Sequence, residues 1–320
     1  MSSARVLSLL CAGCIALPVA AQGYPSKPVR ILVGFAAGGP TDVAGRLVAQ
    51  KLADALHQPF VIDVRPGAGG NIAAEIVAKS APDGYTLLVP AFAHAVNPAL
   101  TSRLPFDTAK DFAPIALFAS AANILAVHPS VPARSVAELI ALARTRPGQL
   151  TFGSAGNGTA SHLAGELFNM MAAVKLTHVP YKGSAPASTD LIGGHISAAF
   201  PGVAIALPHT RAGRLRSLAV TSLERSKVMP EVPTMSEAGL PGFEVISWYG
   251  LLAPAGTPRD IVQQLNTDVN RSMQEADAMQ RLGSFGAEPV HATPDAFGTF
   301  IAGELTKWTK VVQAAGLKVD

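Results

Sequence analysis

The residues that could do chemistry in this chain are glycines, serines, histidines and one aspartate, and they gather where short apolar runs end. Val29 to Phe35 is apolar and leads into Ala36-Ala37-Gly38-Gly39-Pro40-Thr41-Asp42. A strand that stops at Gly-Gly where a helix begins aims several backbone N–H groups at one point, at the positive end of the helix dipole. That point favours an anion, and a carboxylate needs no lysine there. A second cluster, Gly153-Ser154-Ala155-Gly156-Asn157-Gly158-Thr159, ends another apolar run and precedes another helical pattern. It fits G-x-x-x-x-G, but Thr159 stands where a phosphate loop needs Lys, and Gly156-x-Gly158 lacks the third glycine of a dinucleotide turn. A small-anion nest and a plain structural turn are the readings left.

Ser154, Ser161 and His162 invite a nucleophile–base pair. No G-x-S-x-G elbow surrounds either serine, and Ser161 and His162 are neighbours on a helix, so their side chains diverge. His162 is expected to cap that helix or pack in the core. His94 follows the third strand, at the strand C-termini where ligands bind in a parallel sheet, and either lines the cleft or steadies its loop. Asp42 sits in a first helical turn, where a carboxylate satisfies N–H groups. No H-E-x-x-H and no spaced carboxylate set is present, so no metal and no cofactor is expected. Cys11 and Cys14 have C-x-x-C spacing but fall inside an N-terminal apolar run, which reads as a leader; a lipid anchor on Cys14 is the lesser alternative.

The elements that must position these residues alternate. Ile31 to Phe35, Phe60 to Val64 and Thr86 to Pro90 read as strands. Val43, Leu47, Val48, Leu52 and Leu56 recur at helical spacing, and Ile72 to Lys79 reads as a helix that Asn71 can cap. Three strand–helix units in a row predict a parallel sheet with right-handed crossovers. Ala91 to Asp111 reads as looser chain. Strands follow at Ile115 to Phe118, Ile124 to Val127, Thr151 to Ser154, Leu176 to Pro180, Ile196 to Phe200, Leu215 to Thr221 and Trp248 to Ala253. Ser135 caps a helix to about Arg144, and another runs from about Ala160 to Met171. Met229 to Gly242 is a Pro- and Gly-rich connection, and Pro258 and Pro294 open long amphipathic helices.

Composition narrows the function classes. At 320 residues the chain can hold two domains, 49% of it is apolar and 15% charged, which excludes a disordered protein. The net charge of +3 is scattered, with no basic stripe, so no nucleic acid is expected. Arg5, the apolar run Val6 to Ala16 and Val19-Ala20-Ala21 read as a signal peptide over residues 1–21, cleaved near Ala21-Gln22.

Several pieces in order carry a resemblance: Phe35-x-x-Gly38-Gly39-x-x-Asp42, Arg65-Pro66-Gly67-Ala68-Gly69-Gly70, Asp83-Gly84-Tyr85-Thr86-Leu87, Asp111-Phe112-x-Pro114-Ile115, Gly153-Ser154-x-Gly156-x-Gly158-Thr159-x-x-His162-Leu163, Val179-Pro180-Tyr181-Lys182-Gly183, Leu218-Ala219-Val220-Thr221 and Glu237-Ala238-Gly239-Leu240-Pro241-Gly242. Together they resemble the Bug-type receptors, the solute-binding proteins of tripartite tricarboxylate transporters. The resemblance implies an α/β, type II-like periplasmic binding fold: two domains, each a mainly parallel sheet flanked by helices, joined by two crossing segments. Domain 1 is then residues 22–115 and 241–320, and domain 2 is 116–240. It implies a periplasmic, monomeric, non-enzymatic receptor that delivers a small carboxylate to membrane transporter subunits through transient contact. One carboxylate is expected near Ala37, Gly38 and Gly39, with Thr41 and Asp42 beside it, and Ser154, Ala155, Asn157, Gly158 and Thr159 approaching from the other domain. Phe92, His94 and Pro201 are the candidates for the pocket beyond. The family often places an acidic or amide residue after the strand Ile196 to Phe200. Here Phe200-Pro201-Gly202-Val203 offers nothing ionisable, which suits an apolar or small ligand tail. The other readings are a serine/histidine hydrolase and a ligand sensor coupled to a signalling partner.

Overall fold

The computed structural model describes residues 23–101 and 103–317 of the chain. The leader, its cleavage point, Cys11 and Cys14 lie outside the described residues. Two mixed sheets organise what is described. The first has six strands: β1 (Val29–Val33), β2 (Phe60–Val64), β3 (Thr86–Val89), β4 (Phe112–Ala122), β10 (Ile246–Pro254) and β11 (Glu288–Pro289), in the order β11-β4-β10-β3-β1-β2. The second has five, β5 (Ile124–Val127), β6 (Thr151–Ser154), β7 (Thr177–Pro180), β8 (Ala198–Ala199) and β9 (Arg216–Val220), in the order β7-β6-β8-β5-β9.

The α/β two-sheet architecture agrees with the expected fold, but the sheets are not mainly parallel. β1 pairs parallel with β2 and β3, while β4, β10 and β11 pair antiparallel. In the second sheet β6 pairs parallel with β7 and β8, and β5 pairs antiparallel with β8 and β9. The cause is connectivity. β4 carries the chain towards the second sheet and β10 brings it back alongside, so the two must oppose one another. β4 also runs on to Ala122, so it stays in the first sheet past residue 115, where the sequence suggested a division.

Helices cover these sheets: α1 (Pro40–Leu56), α2 (Asn71–Ala78), α3 (Ala93–Leu100), α4 (Val136–Thr145), α5 (Ala160–Ala172), α6 (Ser184–Ile192), α7 (Val203–Arg211), α8 (Arg259–Ser272), α9 (Ala276–Ser284) and α10 (Pro294–Ala315). β1 is buried at four of five positions, as a strand covered on both faces must be. The segment expected to be loose, Ala91 to Asp111, contains α3. Asn71 does not cap α2; Gly70 holds the cap position and Asn71 is the first helical residue.

The chain crosses between the sheets at Asn123 and at Val245. Thr221 ties the two crossings. Its N–H donates to the Asn123 carbonyl (2.9 Å), its carbonyl accepts from the Val245 N–H (2.9 Å), and its Oγ1 lies 2.6 Å from the Val245 carbonyl and accepts from the Asn123 N–H at 3.0 Å. Thr221 is wholly buried. α10 packs on α3 of one unit and on α5 of the other. One apolar cluster runs from Leu88 and Phe92 through Val245, Trp248 and Trp308 to Leu163 and Phe168, so the core is continuous between the units.

Candidate functional site

Strand-to-helix turns from both sheets meet at one cleft of about 560 Å³. Pro40 and Thr41 open α1. Ala68, Gly69 and Asn71 lead into α2, and Ala91, Phe92 and Ala93 lead into α3. Asn157, Gly158, Thr159 and Ala160 lead into α5 from the other sheet. Phe35, Asn97, Leu100 and Thr101, with Ser247, Trp248 and Tyr249 of β10, complete the lining. None of these residues is Asp, Glu, Lys, Arg or His. Tyr249 is the one titratable group, and burial pushes its phenol up to about 12, so it stays neutral.

The turns crowd because glycine lets them. A Cβ on Gly34, just after β1, would lie 2.5 Å from the Gly70 Cα, so only glycine allows the turn after β1 to touch the turn before α2. Gly158 has φ +74°, and a Cβ there would lie 3.0 Å from Leu100 Cδ1 of the facing unit. Asn97 of α3 then joins its neighbours, donating to the Gly69 carbonyl (2.9 Å) and to Asn71 Oδ1 (2.7 Å).

Of the residues singled out in the sequence, Thr41, Phe92, Asn157, Gly158 and Thr159 line this cleft. Ala37, Gly38, Gly39 and Asp42 belong to the turn and first helical turn around Pro40 without lining it. Ser154, Ala155 and Pro201 line a separate pocket of about 10 Å³ with Ser184 and Ser188 of α6. His94 is 7% exposed, stacked near Phe106 and edge-on to Phe112, and faces another cavity of about 10 Å³ with Asn71 and Asn97. Burial pulls its pKa down to about 4.

The backbone donors are apportioned differently from the sequence expectation. The Gly38 N–H donates to Asp42 Oδ2 (2.8 Å), and the Gly39 N–H to the Ala36 carbonyl (3.2 Å). Burial alone would raise the Asp42 pKa, but the bonds from Arg46 (2.9 Å) and Gly38 outweigh it and hold the carboxyl below its ordinary value. In the second loop the Gly156 N–H donates to Ser154 Oγ (3.1 Å), the Ala155 N–H to Ser161 Oγ (3.0 Å) and the Gly158 N–H to His162 Nδ1 (3.1 Å). Thr159 caps α5, its Oγ1 accepting from the His162 N–H at 3.4 Å. Inside the described protein no acceptor takes the N–H groups of Thr41 and Asp42 in α1, or of Ala160 and Ser161 in α5. These, with the N–H groups of Gly69, Ala93 and Asn157 in the lining, are left for a ligand, whereas the amides of Gly38, Gly39, Gly156 and Gly158 are taken.

His162 and His178 stack at 4.0 Å between ring centroids, and His178 Nε2 lies 2.6 Å from Ser154 Oγ. Burial lowers His162 to about 3, with the neighbouring His178 adding to it, and lowers His178 to about 4. Ser154 and both rings are absent from the cleft lining; they brace the loop from behind. No signal in the sequence paired Ser154 with His178, since β7 brings them together only through the sheet register Ser154↔Pro180. The β10 residues Ser247, Trp248 and Tyr249 were missed because an apolar strand pattern does not say which of its positions abut a cleft.

The model of the tripartite tricarboxylate transporter family receptor matches residues 44–317, most of the chain. This chain belongs to that receptor family. It is a family of solute-binding receptors rather than enzymes. This receptor is 39% identical over 307 residues to protein BugT of Bordetella pertussis, covering 95% of this chain and 94% of that one. Among solved structures it is similar to Rpa4515 of R. palustris with adipate (TM-score 0.77, 40% identity, 92% of this chain and 99% of that one). It is also similar to MatC (Rpa3494) of Rhodopseudomonas palustris with bound malate (TM-score 0.74, 36% identity, 90% of this chain and 100% of that one).

Proposed function

We propose that this receptor binds a small organic carboxylate in the cleft between its two sheets and closes on it as two lobes. The lobes are residues 23–122 with 246–317, and residues 124–244, hinged where Thr221 ties Asn123 to Val245. One observation carries the reading: the N-termini of α1 and α5, one from each sheet, face the same cleft with N–H groups that no protein acceptor takes. A carboxylate between them is a bridge that both lobes gain by approaching. Closure removes water and strengthens each N–H···O contact. The relatives with adipate and malate support a carboxylate as the cargo. After cleavage of the leader near Ala21-Gln22 the protein acts in the periplasm as a monomer, and release to membrane transporter subunits is by transient contact.

The test is thermal shift and calorimetry on protein stripped of carried-over ligand, with mono- and dicarboxylates. A ligand at a hundred times its Kd stabilises by about 2.7 kcal/mol, so the Tm must rise. No rise with any organic acid overturns the proposal. Gly158→Val, strained at φ +74° and pushed against Leu100, should abolish binding while far-UV dichroism is retained. Normal binding by this variant would place the site elsewhere.

A further inference from the structure

We infer that the cleft takes a monocarboxylate whose remaining body is uncharged and largely apolar, in preference to a dicarboxylate; this rests on the receptor reading above. Four helices begin at the cleft, but they are not equivalent. At α3 the first turn is closed on itself: the His94 N–H donates to the Ala91 carbonyl (2.8 Å) and the Ala95 N–H to the Phe92 carbonyl (3.2 Å). At α2 the turn in front takes the donors, with the Gly70 N–H on the Gly67 carbonyl (2.9 Å) and the Asn71 N–H on the Ala68 carbonyl. At α1 and α5 two successive first-turn donors stay open on each helix, Thr41 with Asp42 and Ala160 with Ser161, whereas α3 keeps the Ala93 N–H alone. The facing N-termini of α1 and α5, each worth roughly half a positive charge, suit one carboxylate held between them. The Asp42 charge behind α1 is already matched by Arg46.

A second carboxylate finds no cationic partner; the side-chain donors on offer are neutral, the Asn71 and Asn157 amides and the Ser247 hydroxyl. The lining has no Lys, Arg or His, and the wall away from α1 and α5 is Ala91, Phe92, Ala93 and Trp248. Asn97, which could have turned an amide outward, is committed to Gly69 and Asn71. The Trp248 Nε1–H has no acceptor in the described protein, but it is buried and closed to a ligand. Such neutral donors offer places for a neutral oxygen or ring nitrogen, and do not offset the desolvation of a full charge as a cation would. The rings of Phe35 and Phe92, with the Leu100 side chain, suit a flat or aliphatic body.

The experiment compares acids that differ by one carboxylate, at about pH 7 where all are ionised: hexanoate against adipate, and benzoate against terephthalate, by calorimetry on stripped wild-type protein. Each monoacid is expected to bind at least about tenfold more tightly than its diacid. Equal or tighter binding of the diacids overturns the inference and leaves the receptor reading standing. Binding of malate or another diacid with none of the monoacids overturns the inference alone, and no binding of any organic acid removes the receptor reading with it. Phe92→Leu, a conservative change at the apolar wall, should weaken benzoate several-fold and leave acetate unchanged. Equal losses for both would overturn the placement of the ligand body against Phe92.

Discussion

Burial sets the protonation of the histidines, and that makes stability depend on pH in a definite direction. His94 is lowered to about 4 by burial, and His162 to about 3 by burial and then His178. Between those values and the ordinary 6.5 the unfolded chain holds protons that the folded chain refuses. Stability therefore rises with pH across that window and is lost as pH falls below about 6.5, by on the order of 1 kcal/mol per pH unit for each such group. The Tm should drop steadily from pH 7 to pH 5 in low-salt buffer. His94→Phe keeps an aromatic ring beside Phe106 and Phe112 and removes one titrating group, so its Tm should fall less over the same range. An unchanged slope would show that burial does not shift the titration of His94.

Individual elements differ in how far the sequence revealed them, and the reason is the kind of signal each carries. Pro294 with Thr293 before it marks a helix start that needs no tertiary context, and α10 begins there, with Thr293 Oγ1 accepting from the Ala296 N–H at 3.2 Å. Thr293→Ala should cost about 1 kcal/mol and lower the Tm by a few degrees, measured with and without ligand. β2 and β6 were read with their observed ends because glycine or proline turns close them. α3, α6, α7 and α9 were not recognised. Each is short, and α3 and α7 contain a proline, which ordinarily argues against a helix. The convergence of α1 and α5 on one anion was legible as two glycine turns at helix starts. Which amides remain open was not, because Asp42 and His162 consume the Gly38 and Gly158 donors through side-chain bonds that sequence spacing permits but does not dictate.

For the molecule as a whole, the hinge is the controlling part. Thr221→Val keeps the shape of the side chain and removes its hydroxyl from between Asn123 and Val245. A buried site left short of partners costs about 1–3 kcal/mol, so the urea midpoint should fall. Because the change lies at the crossing and not in the cleft, ligand affinity should shift without loss of selectivity between acids. An unaltered midpoint would mean that the crossings are held by backbone pairing alone.

β4 and β10 lie side by side along nine registered pairs, Ile246↔Ala122 to Pro254↔Phe112. The stretch from Ile124 to Glu244 is thus a cassette that hangs from two neighbouring peptide bonds. A homologous cassette grafted onto this base must match those two junctions and the face that α5 turns to α10. The half-site carried by α5 would travel with the graft, and the aromatic wall would stay with the host.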